Sequence, residues 1–142
     1  MSARTKARKR ALDILFAAEA RSGGTAGGDI TAVLAEEAAR AAHEPQRAAS
    51  WTYARDVVTG VHEHLDEIDE SITAVAVDWP LERMPAVDRA LLRIGVWEIL
   101  FNDEVPDAVA ISEAVESARV HSTEDSAGFV NGLLGRIAAT RG

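Results

Sequence analysis

Five cations, Arg4, Lys6, Arg8, Lys9 and Arg10, stand within seven positions near the start of the chain, and no acidic residue precedes Asp13. Residues of this kind at this density neutralise anions, phosphates above all. The stretch RTKARKRALDILFAAEA reads as a helix from Arg4 to Ala20, and its basic half sits at the wrong end for the helix dipole. Unpaired N–H groups make a helix start partially positive, so each cation there costs a few tenths of a kcal/mol, roughly. A sequence that departs from a local rule at one place does so for function. At 100° per residue, Arg4 and Arg8 share one face, Lys6 and Arg10 share another, and Lys9 lies between them. Ala7 and Ala11 keep one narrow side small. Charges wrapped around the first turns suit a polyanion better than a single carboxylate.

Other candidates for chemistry are weaker. In HEHLDE, His62 and His64 diverge by about 200° on a helix and cannot share an ion, and His62 with Asp66 is an ordinary exposed pair. No metal site is expected, because two ligands fall short of one. The glycine-rich SGGTAGG at Ser22 to Gly28 has no following Lys-Ser/Thr and no preceding strand, so it reads as a flexible linker rather than a phosphate cradle. No residue pattern resembles an activated nucleophile. Arg89 and Arg93 are expected to be structural, Arg89 pairing with Glu82 or a carboxylate of the next helix and Arg93 laying its stem on Trp97. Phe129 has two readings: it aligns with the apolar Leu133 and Ile137, and its first-turn position also allows stacking on a base.

The chain has 142 residues and a net charge of −8. Its first ten residues carry +5 and the remainder −13, an anion-binding end on an acidic body. There are no cysteines, which excludes disulfides and thiolate metal sites. No apolar run approaches the ~18 residues of a membrane span, and ALDILF is too short for a secretion signal. A cytoplasmic location without membrane contact is the expectation.

Periodicity predicts an all-α chain. In the first helix Ala11, Ile14, Leu15 and Ala18 point inward, with Leu12 and Phe16 broadening that stripe. Asp29 caps a second helix from Ile30 to about His43. A third region, Ser50 to Val77, is too long for one uncapped helix, and a break is expected between Gly60 and Asp66. Leu81 to Met84 forms a short turn that packs Trp79 inward. A central helix runs from Pro85 or Ala86 to Phe101 or Asn102, another from Asp107 to His121, and a last from near Ser122–Asp125 to Thr140. Gly128, Gly132 and Gly135 would let a neighbour approach the last helix. The total is six or seven helices.

Four stretches together resemble the NusB family of bacterial transcription antitermination factors: ARKRALDILF, YARDVVTGV, WPLERMPAVDRALLRIGVWEIL and VPDAVAISEAVESARVHSTEDSAGFVNGLLGRI. The resemblance spans nearly the whole chain, and its most specific parts are VDRALLR and EDS-x-x-FVNG-x-L. It implies one domain, residues 1–142, of two packed helical bundles, 1–77 and 78–142. It also implies pairing with NusE, a small-subunit ribosomal protein, and recognition by the pair of single-stranded boxA RNA in ribosomal leaders. The wider partner is the transcription elongation complex with other Nus factors.

Carried over residue by residue, the RNA contacts are Arg4, Lys6, Arg8, Lys9, Arg10, Asp125 and Phe129, which favours the RNA reading of Phe129. The NusE contacts are Phe16 and Asp88. Three positions depart from the pattern. Phe16 lacks the hydroxyl of the tyrosine common there, Gly128 replaces a basic residue, and Ser122 replaces a helix-ending glycine. The expected function is that of a non-enzymatic RNA-binding adaptor without cofactors. If all five cations met phosphates, the log–log salt slope would be about −3.5. Two alternatives are the NusB-like front module of a ribosomal RNA cytosine methyltransferase, which the end at Gly142 disfavours, and a homodimer that masks its basic helix.

Overall fold

A computed structural model of the protein describes residues 2–23 and 29–141, among which seven α-helices and two short 3₁₀ turns are found. The helices are α1 (Ala3–Arg21), α2 (Ile30–Ala41), α3 (Ala48–Glu63), α4 (Leu65–Val75), α5 (Ala86–Phe101), α6 (Asp107–His121) and α7 (Ser126–Arg141). Most of the expected glycine linker, residues 24–28, lies outside the described residues. No helix among the described residues is long and apolar enough to cross a membrane.

The chain divides into two compact units, Met1–Glu63 and His64–Gly142. The division coincides with the break between α3 and α4, inside the interval where the long apolar pattern was expected to fail. It falls one helix earlier than the boundary expected at 77.

In the first unit α1 packs on α3 and α2. Ala7 and Ala11, the small side of α1, are fully buried, as are Ala54, Val57, Val58 and Val61 of α3. Small side chains on α1 allow close approach to a helix whose facing residues are mostly β-branched. At its end, Gly23 adopts the left-handed backbone (φ 69°), which only glycine takes without strain. Asp29 begins α2 as expected but makes no side-chain capping bond.

In the second unit α5 is central and contacts α4, α6 and α7. Its residues from Ala90 to Val96 are all buried. Helix α4 belongs here because Ile68 and Ile72 are fully buried and because Asp69 accepts two bonds from Arg93 of α5, at 2.9 and 3.1 Å. Burying Arg93 is tolerable only because its charge is paired in this two-pronged way. Its partner is therefore Asp69, where stacking on Trp97 was expected. Arg89 ties down the preceding turn by donating to the carbonyls of Leu81 (3.1 Å) and Met84.

The close approach between α5 and α7 lies at Gly95, where a Cβ would stand 2.7 Å from Leu134 Cδ1. The three α7 glycines were the expected contact points, but a Cβ at Gly128, Gly132 or Gly135 would meet nothing within 4 Å.

Candidate nucleic-acid interface

Ser2 resolves the conflict between a basic sequence and a helix start. Its hydroxyl accepts the Thr5 N–H at 3.1 Å, so one orphan donor of α1 is satisfied without a carboxylate. The cations beyond it keep contact with solvent. Arg4 and Arg8, on one face as expected, lie over a single aromatic ring, with guanidinium carbons 4.4 and 5.6 Å from the Tyr53 centroid. Arg10 lies 5.5 Å from the Trp51 ring centroid and donates to Ser50 Oγ at 3.3 Å. Each cation–π contact stabilises by about 0.5–1 kcal/mol at a partly exposed site.

Lys9 is different. It is bridged to Asp13 at 2.6 and 2.8 Å, one helical turn away. Lys6 is exposed and makes no ion pair among the described residues. The sequence reading missed Tyr53, Ser50 and the positioning role of Trp51. Tyr53 begins the YARDVVTGV stretch, yet nothing in the local pattern says which cations it faces.

The second set of expected contacts lies in the other unit. Phe129 is half-buried and meets Trp79 edge-to-face, with centroids 4.6 Å apart at 61°. Leu133 and Ile137, on the same stripe, are buried, so the aromatic stands at the rim of the core. Asp125 is exposed just before α7, and its carbonyl accepts the Phe129 N–H at 3.3 Å. The two residues therefore bracket one helical turn.

The two expected NusE contacts part company. Phe16 is 44% exposed, outside the core stripe to which its spacing had assigned it and open to a partner. Asp88 is 1% exposed. Ser122 donates to its Oδ1, and Ser126 donates to its Oδ2 at 2.8 Å. An aspartate so enclosed cannot touch a partner protein directly; it joins α5 to the start of α7. Ser122, the departure from the family glycine, is one of the two hydroxyls that satisfy it.

No group of three or more His, Asp or Glu residues placed to hold a metal occurs among the described residues. His64 stacks on Phe101 at 3.9 Å between centroids and reaches Glu67 at 3.2 Å. At the far end of α1, Arg21 bridges to Glu36 of α2. The hydrogen bond from Arg21 holds the Glu36 carboxyl below its ordinary pKa, and the same bond raises that of Arg21.

Residues 5–139 match the NusB family model. The transcription antitermination protein NusB of Leifsonia xyli subsp. xyli is 64% identical, covering 99% of this chain and 94% of its own. Among solved structures, T. maritima NusB superimposes with a TM-score of 0.76 at 33% identity, covering 96% of this chain and 90% of its own. A structure of NusB and NusE in complex with dsRNA shares the fold at 24% identity, with a TM-score of 0.74 and coverage of 99% and 98%. On its sequence, its helices and its relatives, the chain belongs to the NusB family of RNA-binding transcription antitermination factors.

Proposed function

We propose that this chain, paired with NusE, binds the single-stranded boxA element of nascent ribosomal RNA as a non-enzymatic adaptor of the elongation complex in the cytoplasm. The observation that carries the reading is the seating of Arg4, Arg8 and Arg10 on aromatic rings at the front of α1, beside the unpaired Lys6. These cations meet RNA phosphates. Lys9 contributes less, since Asp13 already takes its ammonium group. In the second unit the half-exposed Phe129 stacks on a base and the exposed Asp125 accepts from base amino groups. Phe16 meets NusE through its exposed ring. Asp88 acts on that machinery from beneath, by holding Ser126 and so the first turn of α7.

The test is RNA binding with and without NusE, comparing the wild type with the Arg4→Ala, Lys6→Ala, Arg8→Ala triple variant. Removing three phosphate contacts should flatten the salt slope by about 2. The loss in RNA affinity should be about 3 kcal/mol, roughly a hundredfold. Helicity and NusE pairing should persist, because these side chains stand outside the core. An unchanged salt slope would refute the assignment.

A further inference from the structure

The centre of the second unit is filled by aliphatic side chains, among them Ile72, Leu92, Ile99 and Leu134, while its aromatic residues all keep part of their surface in water. Rings are therefore not needed to fill this core. Trp79 stands in the connection between α4 and α5. Of residues 77–80 it alone is half-buried; Val77, Asp78 and Pro80 are exposed. The connection is pinned on both sides of it. The Trp79 N–H donates to the Ala76 carbonyl at 3.4 Å, and Pro80 narrows the backbone choices of the residue before it. Beyond Pro80, Arg89 Nη1 donates to the carbonyls of Leu81, at 3.1 Å, and Met84, whose side chain is buried.

The surroundings of Phe129 differ from one flank to the other. At about 100° per residue, Val130 and Leu133 lie on one side of it, and Asp125, Gly128 and Gly132 on the other. The first two are buried and the other three are exposed. A Cβ at Gly128 or Gly132 would meet nothing within 4 Å. The ring thus has the core on one flank and an open floor of backbone on the other. A flat base lies on that floor against Phe129 only when the plane of the ring is held. Trp79 makes the contact that holds it, with centroids 4.6 Å apart and planes at 61°. Edge contacts between rings have a preferred geometry that an aliphatic neighbour lacks. A side chain held beforehand in its bound orientation also loses less freedom when the ligand arrives.

The geometry points to Trp79 as the residue that positions Phe129 for base stacking, with Arg89 fixing the turn from which it acts. This role rests on the RNA reading of Phe129 above and adds a specificity for flat, unpaired bases that depends on a residue preceding α5. Trp79 acts through Phe129 and meets no phosphate. Its loss therefore weakens binding without altering the salt dependence.

A short single-stranded boxA-type RNA carrying 2-aminopurine at successive positions reports stacking through its fluorescence. With NusE present, affinity, salt slope and emission are compared for wild type, Trp79→Leu, Phe129→Leu and the double variant. At the position that meets Phe129, wild type should quench the emission, and both single variants should release it. Trp79→Leu should weaken binding roughly three- to tenfold at an unchanged slope. Trp79→Phe, which keeps a ring, should restore affinity and quenching. The double variant should bind no more weakly than Phe129→Leu, because the two residues act as one. Additive losses would mean that Trp79 touches RNA by itself and would overturn the role. So would quenching that survives Trp79→Leu, or a Trp79→Phe variant that restores nothing. If Trp79→Leu melts early, NusE affinity without RNA separates a general loss of structure from a local one. NusE pairing that falls in step with RNA binding overturns the role as well. Phe129→Leu tests the reading beneath: without effect there, no base stacks on Phe129 and both fall. A loss in Phe129→Leu alone removes only Trp79.

Discussion

The start of α1 and the start of α7 hold their candidate RNA contacts by opposite means. On α1, charges stand at the surface against aromatic rings, Arg4 and Arg8 at Tyr53 and Arg10 at Trp51. At the start of α7, the exposed Asp125 and half-exposed Phe129 belong to a turn held by an enclosed carboxyl, Asp88, through Ser122 and Ser126. The first arrangement keeps cations partly in water and costs little desolvation. The second takes a carboxyl out of water, which the fold tolerates because two hydroxyls satisfy it. The α1 contacts should therefore be removable with the fold intact, and the Asp88 support beneath the start of α7 should not.

The sharpest break of that contrast is Asp88→Ala. It leaves the Ser122 and Ser126 hydroxyls without their acceptor, which costs roughly 1–3 kcal/mol per buried group. Because Ser126 also lies within bonding distance of Ser122 (3.0 Å) and Thr123 (2.7 Å), part of that loss is recovered. A net destabilisation of about 3 kcal/mol in denaturant melts is expected, with Asp88→Asn retaining an acceptor and losing less. The α1 triple variant should melt within about 0.5 kcal/mol of wild type, as surface changes usually do. Equal melting of Asp88→Ala and wild type would erase the distinction between the regions.

A smaller effect is expected from Tyr53→Leu, which keeps an apolar side chain under α1 and removes the ring. Losing two cation–π contacts of about 0.5–1 kcal/mol each should weaken RNA binding several-fold. Tyr53→Phe retains the ring and should bind nearly as wild type. If Leu and Phe variants bind alike, the ring does not position the arginines.

The smallest effect lies at the other end of α1 and depends on pH. Glu36 has a depressed pKa in the folded chain because Arg21 donates to it. Its stabilising contribution is therefore present above the ordinary carboxylate range and is lost as pH falls through the depressed value. Arg21, with its raised pKa, stays protonated throughout. Thermal melts of wild type and Glu36→Gln should differ slightly at neutral pH and converge in acid. Both groups are solvent-screened, so a large difference, or one that grows in acid, would contradict the sign.

Much of this architecture is legible along the chain. Apolar spacing marks every helix, and the break near His64 follows from a pattern too long to be one helix. The five cations need only counting. Other features are not legible, and each fails for a nameable reason. Phe16 shares the angular sector of the buried Leu12, yet much of its ring stays open to solvent. Three glycines on α7 look like a packing stripe, but the side chain of Leu134 presses instead on Gly95 of α5. Asp88 in the polar stretch VDR reads as exposed; its two hydroxyl partners arrive from 34 and 38 residues away.

What the sequence by itself determined is local: helical periodicity, the sites of chain breakage, the concentration of positive charge at one end and the motifs of the family. Tertiary structure alone decided which unit claims α4, which aromatic holds which arginine, and which carboxyl is enclosed. The physical reason is that periodicity assigns each side chain an angle about its own helix axis. Whether that angle meets water, a ring or a hydroxyl depends on a second helix, whose position is set by packing between residues far apart in the chain.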